Sequence, residues 1–157
     1  MNIDLVAVGK TDSPAIADIV STYAKRISHY ARFSVVLLPD VKNTGKMAAS
    51  TQCRAEGEML LKQFAPEDYV VLLDDKGAAF TSMEFAAWLG RRLGSGVRRV
   101  CFVVGGPYGF SKEVYARGND RVSLSPMTFS HQIVRAIFAE QLYRAFSILN
   151  NLPYHHE

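Results

Sequence analysis

Apolar residues in this chain fall in short runs that alternate with longer stretches of helical periodicity. Residues 3–8 are an apolar run closed by Gly9, the pattern of a buried strand. Asp12-Ser13-Pro14 then offers a helix cap followed by proline in the first turn. Across residues 15–30, Ile16, Ile19, Val20, Tyr23 and Ile27 recur at helical spacing. Residues 33–38 read as a second strand, stopped by Pro39-Asp40. Residues 41–50 are polar, hold Asn43, Thr44, Gly45 and two lysines, and read as a mobile loop. Residues 47–64 return to a helical pattern. A third strand, 69–73, leads into a turn at Asp74-Asp75-Lys76-Gly77. Thr81 or Ser82 caps a helix that runs to Leu93, with Glu84 as negative charge in its first turn. A fourth strand, 99–104, enters Gly105-Gly106-Pro107-Tyr108-Gly109. A short helix over 111–117, a short strand over 122–124 and a loop over 125–130 precede a final helix over 131–150.

Strands alternating with helices predict an α/β domain with a largely parallel sheet of about five strands, spanning 1–157 as one domain. In such sheets ligands bind beyond the carboxyl ends of the strands. Three loops fall there: 74–79, 105–109 and 125–130. The unusual residues of the chain are concentrated in them.

Composition narrows the class. With 157 residues, 48% hydrophobic and 21% charged, the chain has material for a core and is neither a disordered tail nor a disulfide scaffold. No apolar run approaches about 18 residues, so no transmembrane helix is expected. The start lacks the layout of a secretory signal, and a cytoplasmic protein is expected. Cys53 and Cys101 are far apart and read as free thiols, each a small buried apolar residue. Neither they nor the four histidines have metal-site spacing, and no metal is expected.

Charge is uneven. The net is +3; residues 1–80 hold 9 basic against 10 acidic side chains, and residues 81–157 hold 9 against 5. Arg91, Arg92, Arg98 and Arg99 cluster in the basic half. They suit either a polyanionic partner or a solvated helix end.

The glycine loop is neither a Walker loop nor a dinucleotide fingerprint, because no Lys-Ser or Lys-Thr follows it and Pro107 breaks the spacing. Paired glycines allow close approach of a ligand to the backbone; a tight strand-to-helix turn would use them equally well. Residues 125–131 mix hydroxyls with Pro126, Met127 and Phe129. They can offer backbone hydrogen bonds and an apolar wall to a flat heterocycle, or in part cap the last helix through Ser130. That helix has a broad apolar stripe, including Ile133, Ile137, Phe138, Leu142 and Phe146, suited to deep burial or to a subunit interface. The chain ends in Pro153-Tyr154-His155-His156-Glu157, aromatic and imidazole-rich where a frayed tail is usually bland.

Several segments together resemble one family. They are Val6-Ala7-Val8-Gly9-Lys10, the 105–109 loop, residues 123–132, Glu140-Gln141-Leu142-Tyr143-Arg144-Ala145 and Pro153-Tyr154-His155. In order and over the whole length, they are similar to the RlmH family, small SPOUT-class methyltransferases acting on pseudouridine in large-subunit (23S) ribosomal RNA. The resemblance implies a SPOUT-type knot, with a deep trefoil knot in the C-terminal part, and a homodimer working on the ribosome. It implies S-adenosyl-L-methionine as cofactor, held by Leu73, Gly105, Leu124, Ser125, Pro126, Met127, Thr128 and Phe129. It implies methyl transfer to ring nitrogen 3 of a pseudouridine. The candidates for removing the imide proton are His131 and His155. Arg144 would stabilise charge on the base or hold phosphate, with Tyr154 and His155 also meeting RNA. Glu140 is expected to pair with Arg144 one helical turn away. Two other classes fit parts of the pattern: a non-enzymatic ribosome-binding or assembly protein using the basic half, and a regulator binding nucleotide phosphate at the glycine loop.

Overall fold

A computed structural model describes residues 1–156. Its elements are β1 (Asn2–Val8), α1 (Pro14–Ile27), β2 (Arg32–Leu38), a 3₁₀ turn (Thr44–Lys46), α2 (Ala49–Leu61), β3 (Tyr69–Ala79), α3 (Ser82–Leu93), β4 (Arg99–Val104), α4 (Lys112–Arg117), β5 (Asp120–Ser123) and α5 (Ile133–Leu149). The strands form one sheet in the order β2-β1-β4-β3-β5, and every pairing is parallel. No described helix is long and apolar enough to cross a membrane.

The continuous apolar runs of β1, β3 and β4 follow from burial on both faces. One face packs Ile3, Leu5, Val71, Val100 and Phe102 against Ile27 of α1, Phe85 and Leu89 of α3, and Phe138, Leu142 and Phe146 of α5. The alternate residues, Val6, Val8, Val70, Leu72, Cys101 and Val103, pack against Leu60 of α2 and Val114 of α4. The starts of α1, α3 and α4 obey the capping pattern, whereas α2 and α5 have no side-chain cap bond. Ser13 accepts the Ile16 N–H ahead of Pro14, Ser111 accepts that of Val114, and Thr81 and Glu84 form a reciprocal capping box.

Two expectations are corrected. The turn expected at 74–77 lies inside β3, which continues to Ala79. Leu73 pairs with Val122, and after a register shift Ala78 pairs with Val122 again. Residues 74–77 are thus a bulge between two paired stretches. Gly77 permits it, since a Cβ there would lie 2.7 Å from the Arg121 carbonyl carbon. Cys53 is half-buried rather than buried, its thiol pointing to the Gly109 carbonyl at 3.6 Å. Cys101 is buried, and burial pushes its thiol up to about 12.

Two members of the arginine cluster, Arg92 and Arg99, are committed to the fold. Arg99 pairs with Asp4 and Asp68, both at 2.7 Å, binding the starts of β4 and β1 to the segment before β3. Arg92 pairs with Asp120 and lies over the Tyr69 and Trp88 rings. Arg117 donates to the Ala65 and Asp68 carbonyls. Arg98 and Arg99 sit at the amino ends of the strands, opposite the edge where ligands are expected.

The connection from β5 to α5 sets up that carboxyl edge. β5 lies at one border of the sheet, whereas α5 packs with α1 and α3 over β1 and β4. Residues 124–132 therefore cross the carboxyl ends of the strands. Thr128 donates to Asp75 of β3 at 2.9 Å. Gln132 bonds the Lys10 carbonyl and the Asp12 N–H beyond β1, both at 3.1 Å. Arg135, 1% exposed, donates to the carbonyls of Val8, Gly9 and His131 and to the Thr11 hydroxyl. Arg135→Met leaves three buried carbonyls without their donor. It should lower unfolding free energy by about 3 kcal/mol or more, measured by denaturant titration, and Arg135→Lys should recover only part of the loss.

Candidate active site

The crossing segment roofs a cavity of about 510 Å³ at the carboxyl ends of β3, β4 and β5. Its floor is Leu73, Val104 and Val122, the last core residues of those strands. One wall is the glycine loop. Gly109 adopts φ +77° and its N–H returns to the Gly106 carbonyl at 3.1 Å, folding residues 106–109 back on themselves. Gly105 and Gly106 both have close neighbours: a Cβ on Gly105 would sit 3.3 Å from the Phe110 ring, and one on Gly106 would overlap Oε2 of Glu56.

The other wall is the crossing segment. Ser123 Oγ donates to the Ser125 carbonyl (2.8 Å), and Ser125 Oγ accepts the Met127 N–H (2.9 Å). These bonds turn the chain so that Leu124, Ser125, Met127, Thr128 and Phe129 face the cavity. Ser130 lines it too and accepts the Ile133 N–H at 3.2 Å, but the helix begins at Ile133 with Gln132 rather than Ser130 as its N-cap. The mixture of apolar side chains, hydroxyls and free-running backbone suits a heterocycle with an aliphatic extension.

The bulge in β3 brings two carboxylates to the rim. Asp74 accepts from Tyr115 Oη (3.0 Å) and from the Lys76 N–H (3.1 Å); Asp75 accepts from Thr128. Burial and the bond to Asp74 push the Tyr115 phenol up to about 12. Asp74 and Asp75 fall in the 74–79 loop expected at the ligand edge but were given no individual role there, and Tyr115 was not singled out. The acidic doublet directly after a strand was a usable signal, but Tyr115 carried none.

Of the residues expected at a cofactor, Leu73, Gly105, Leu124, Ser125, Met127, Thr128 and Phe129 line the cavity, and Pro126 does not. His131 lines it as well. Arg144, Tyr154 and His155 form a separate cluster. Arg144 makes two bonds to Glu140 Oε1 (2.5 and 3.1 Å), lies over the Tyr154 ring, and has Nη1 3.1 Å from His155 Nδ1. Tyr154 Oη donates to Glu140 and lies 3.1 Å from Tyr23 Oη. Burial and these two bonds push its phenol well above the ordinary range. The expected Glu140–Arg144 pair is present, and the bond to Glu140 raises the Arg144 pKa. Arg144 lies 11 residues after Ile133 in α5, about 16 Å along the helix. The cluster is therefore remote from the cavity of its own chain.

A family model described as "Predicted SPOUT methyltransferase" matches residues 1–155. The chain is 50% identical to a Porphyromonas gingivalis protein and 48% identical to one from Parabacteroides distasonis, in each case over 157 residues and the whole of both chains. A Flavobacterium johnsoniae protein is 46% identical over the same span. All three carry the name "Ribosomal RNA large subunit methyltransferase H". A parallel five-stranded sheet, a segment crossing the strand ends to close over a cavity, and this full-length similarity place the chain in the SPOUT methyltransferase family, whose fold is the α/β knot.

Proposed function

We propose that this chain is an S-adenosylmethionine-dependent methyltransferase acting on large-subunit ribosomal RNA, with nitrogen 3 of a pseudouridine as acceptor, and that it works as a cytoplasmic homodimer. The observation that carries the reading is the cavity roofed by residues 124–131, whose walls combine backbone hydrogen-bonding groups with Leu73, Leu124, Met127 and Phe129. A nucleotide-phosphate regulator fits less well. A phosphate there would meet Asp74 and Asp75, and no lysine or arginine is among the lining residues. A non-enzymatic assembly protein would need the basic half free, yet Arg92, Arg99, Arg117, Arg135 and Arg144 all have internal partners.

The cofactor supplies a methyl group on a positively charged sulfur. The chain has two tasks left: aligning the acceptor nitrogen and taking up its proton. His131 lines the cavity, its carbonyl held by Arg135 Nε at 3.0 Å, which supports it as the candidate for taking that proton. Arg144 only donates, so His155 Nδ1 accepts from it and the neutral ring carries its hydrogen on Nε2. Arg144 and His155 thus present N–H groups suited to the carbonyl oxygens on which the deprotonated base carries its charge. Tyr154, beside them, offers a ring for stacking.

The distance along α5 supports the dimer. The Arg144–His155 pair reaches a cavity only if a second chain supplies it. Ile133 on α5 and Ile19 on α1 are 36% and 42% exposed, apolar positions suited to a partner subunit.

Labelled methyl from S-adenosylmethionine, offered to intact ribosomes, separated subunits and naked ribosomal RNA, should enter one ribosomal fraction. No label in any of them, with cofactor binding intact, would move the acceptor elsewhere. His155→Ala should lower turnover by roughly 100-fold or more while cofactor affinity, measured by calorimetry, changes little. A collapse of affinity with chemistry preserved would remove His155 from the acceptor side. Ile133→Lys should give a folded monomer by sedimentation that binds cofactor and transfers no methyl; an active monomer would refute the shared site.

A further inference from the structure

Two carboxyl groups line the cavity and a third lies behind its glycine loop, none with a cationic partner among the described residues. Asp74 and Asp75 line its rim. Glu56, on α2 behind the glycine loop, is only 5% exposed. Its Oε1 accepts from the Gln52 amide at 3.1 Å, and its Oε2 has no hydrogen-bond partner. That oxygen lies directly against Gly106, where a Cβ would overlap it, so only the bare backbone of one lining residue separates it from the cavity. None of the three makes an ion pair among the described residues. Among the lining side chains His131 is the one nitrogen base.

Their hydrogen bonds do not require the charge. Thr128 donates to Asp75, and an asparagine carbonyl would accept that bond equally. Asp74 accepts from the Lys76 N–H and from Tyr115 Oη on separate oxygens, so an asparagine there would accept one bond and turn its amide to the Tyr115 hydroxyl, which can accept. Carboxylates retained at a cavity and left unpaired favour a ligand that brings the missing positive charge.

We infer that Asp74, Asp75 and Glu56 make this cavity selective for a cationic ligand, holding the sulfonium donor in preference to the neutral thioether left after methyl transfer. The inference rests on the methyltransferase reading above. In the transfer the S–CH₃ bond breaks with its electron pair remaining on sulfur, the N–CH₃ bond forms, and the imide proton passes to a base. Sulfur loses its positive charge, and with it the attraction that held the donor. The spent cofactor is thereby released in favour of a fresh one. Asp75 is exposed, so its share is screened by salt; Glu56 is shielded and its share is less so.

The test is titration calorimetry with S-adenosylmethionine and S-adenosylhomocysteine, each at low and high salt. The wild-type protein should bind the sulfonium more tightly. In Asp75→Asn the ratio of the two affinities should fall roughly 3- to 10-fold at low salt, through loss of sulfonium affinity alone. Glu56→Gln should lower the ratio with less dependence on salt. Because Asp75 is exposed and asparagine keeps the Thr128 bond, that variant tests the inference even where Glu56→Gln fails to fold. An unchanged ratio in both Asp74→Asn and Asp75→Asn, or equal losses for the two ligands, would overturn it. If the wild-type protein binds neither ligand, the cofactor reading itself fails and takes this inference with it.

Discussion

Arg135 is buried without a carboxylate partner, and burial draws its pKa below that of an ordinary arginine, with Asp12 and Asp40 partly offsetting. What keeps it there is a set of carbonyls that would otherwise be orphaned. Those of Val8 and Gly9 stand at the end of β1, and that of His131 stands before the first turn of α5. The planar fork meets them at once, which an ammonium group cannot do. The topology explains why such a bracket is needed. β5 ends at one border of the sheet, and the apolar face of α5 finds its partners two strands away. The connecting residues must cross open strand ends, where no sheet or helix ladder satisfies their backbone. Arg135 and Gln132 fasten the far end of that crossing and Thr128 its middle. The cavity is the space left beneath.

The same residue type performs a similar task elsewhere. Arg99 ties Asp4 to Asp68 and the Gln63 carbonyl, Arg117 gathers the segment before β3, and Arg92 closes α3 onto β5 through Asp120. These guanidiniums lie where parallel strands begin. Arg99 meets Asp4 and Asp68 of the first half, Arg117 meets backbone carbonyls, and Arg92 meets Asp120 of its own half. Part of the positive charge of the second half is therefore consumed inside the fold. A count of arginines overstated the face free for RNA because it cannot see which carboxylate each one meets.

Much of the fold was legible because its signals are local. The runs in β1 and β4 are apolar apart from the Asp4–Arg99 pair near their starts, as burial on two faces requires, and the caps at Ser13, Thr81 and Ser111 need only three or four residues to read. The bulge in β3 was not legible. Asp74-Asp75-Lys76-Gly77 has turn chemistry, and its return to the sheet depends on Ala78 finding Val122, far away in sequence. The cavity lining was readable to the extent that it lies in loops after strands. Leu73, Gly105, His131 and the residues from Leu124 to Phe129 other than Pro126 are there. Tyr115 and Glu56 were hidden, because each is an ordinary helical residue until the packing of α4 and α2 against the glycine loop is known. The remoteness of His155 from His131 was hidden for a related reason: the tail folds back on α5, and only the length of that helix separates them.

The proposed transfer, from a cation to a nitrogen that must lose its proton, makes two opposed electrostatic demands. The donor is held best by negative groups, whereas the acceptor, as it becomes anionic, needs positive ones. A single small cavity serves both poorly, since charges of opposite sign placed side by side would pair with each other. This chain separates them along α5. The acidic rim of Asp74 and Asp75 lies near its first turn, and the Arg144–His155 pair lies about 16 Å further on. Glu140 and Tyr154 keep Arg144 occupied within its own chain, so the guanidinium is oriented before it meets any substrate. In the proposed dimer the two demands are met by two polypeptides, each bringing one sign of charge to a shared site. Asp74 and Asp75 on the cofactor side then act on donor affinity, and Arg144 acts on turnover. That division follows from the length of one helix and does not depend on which histidine removes the proton.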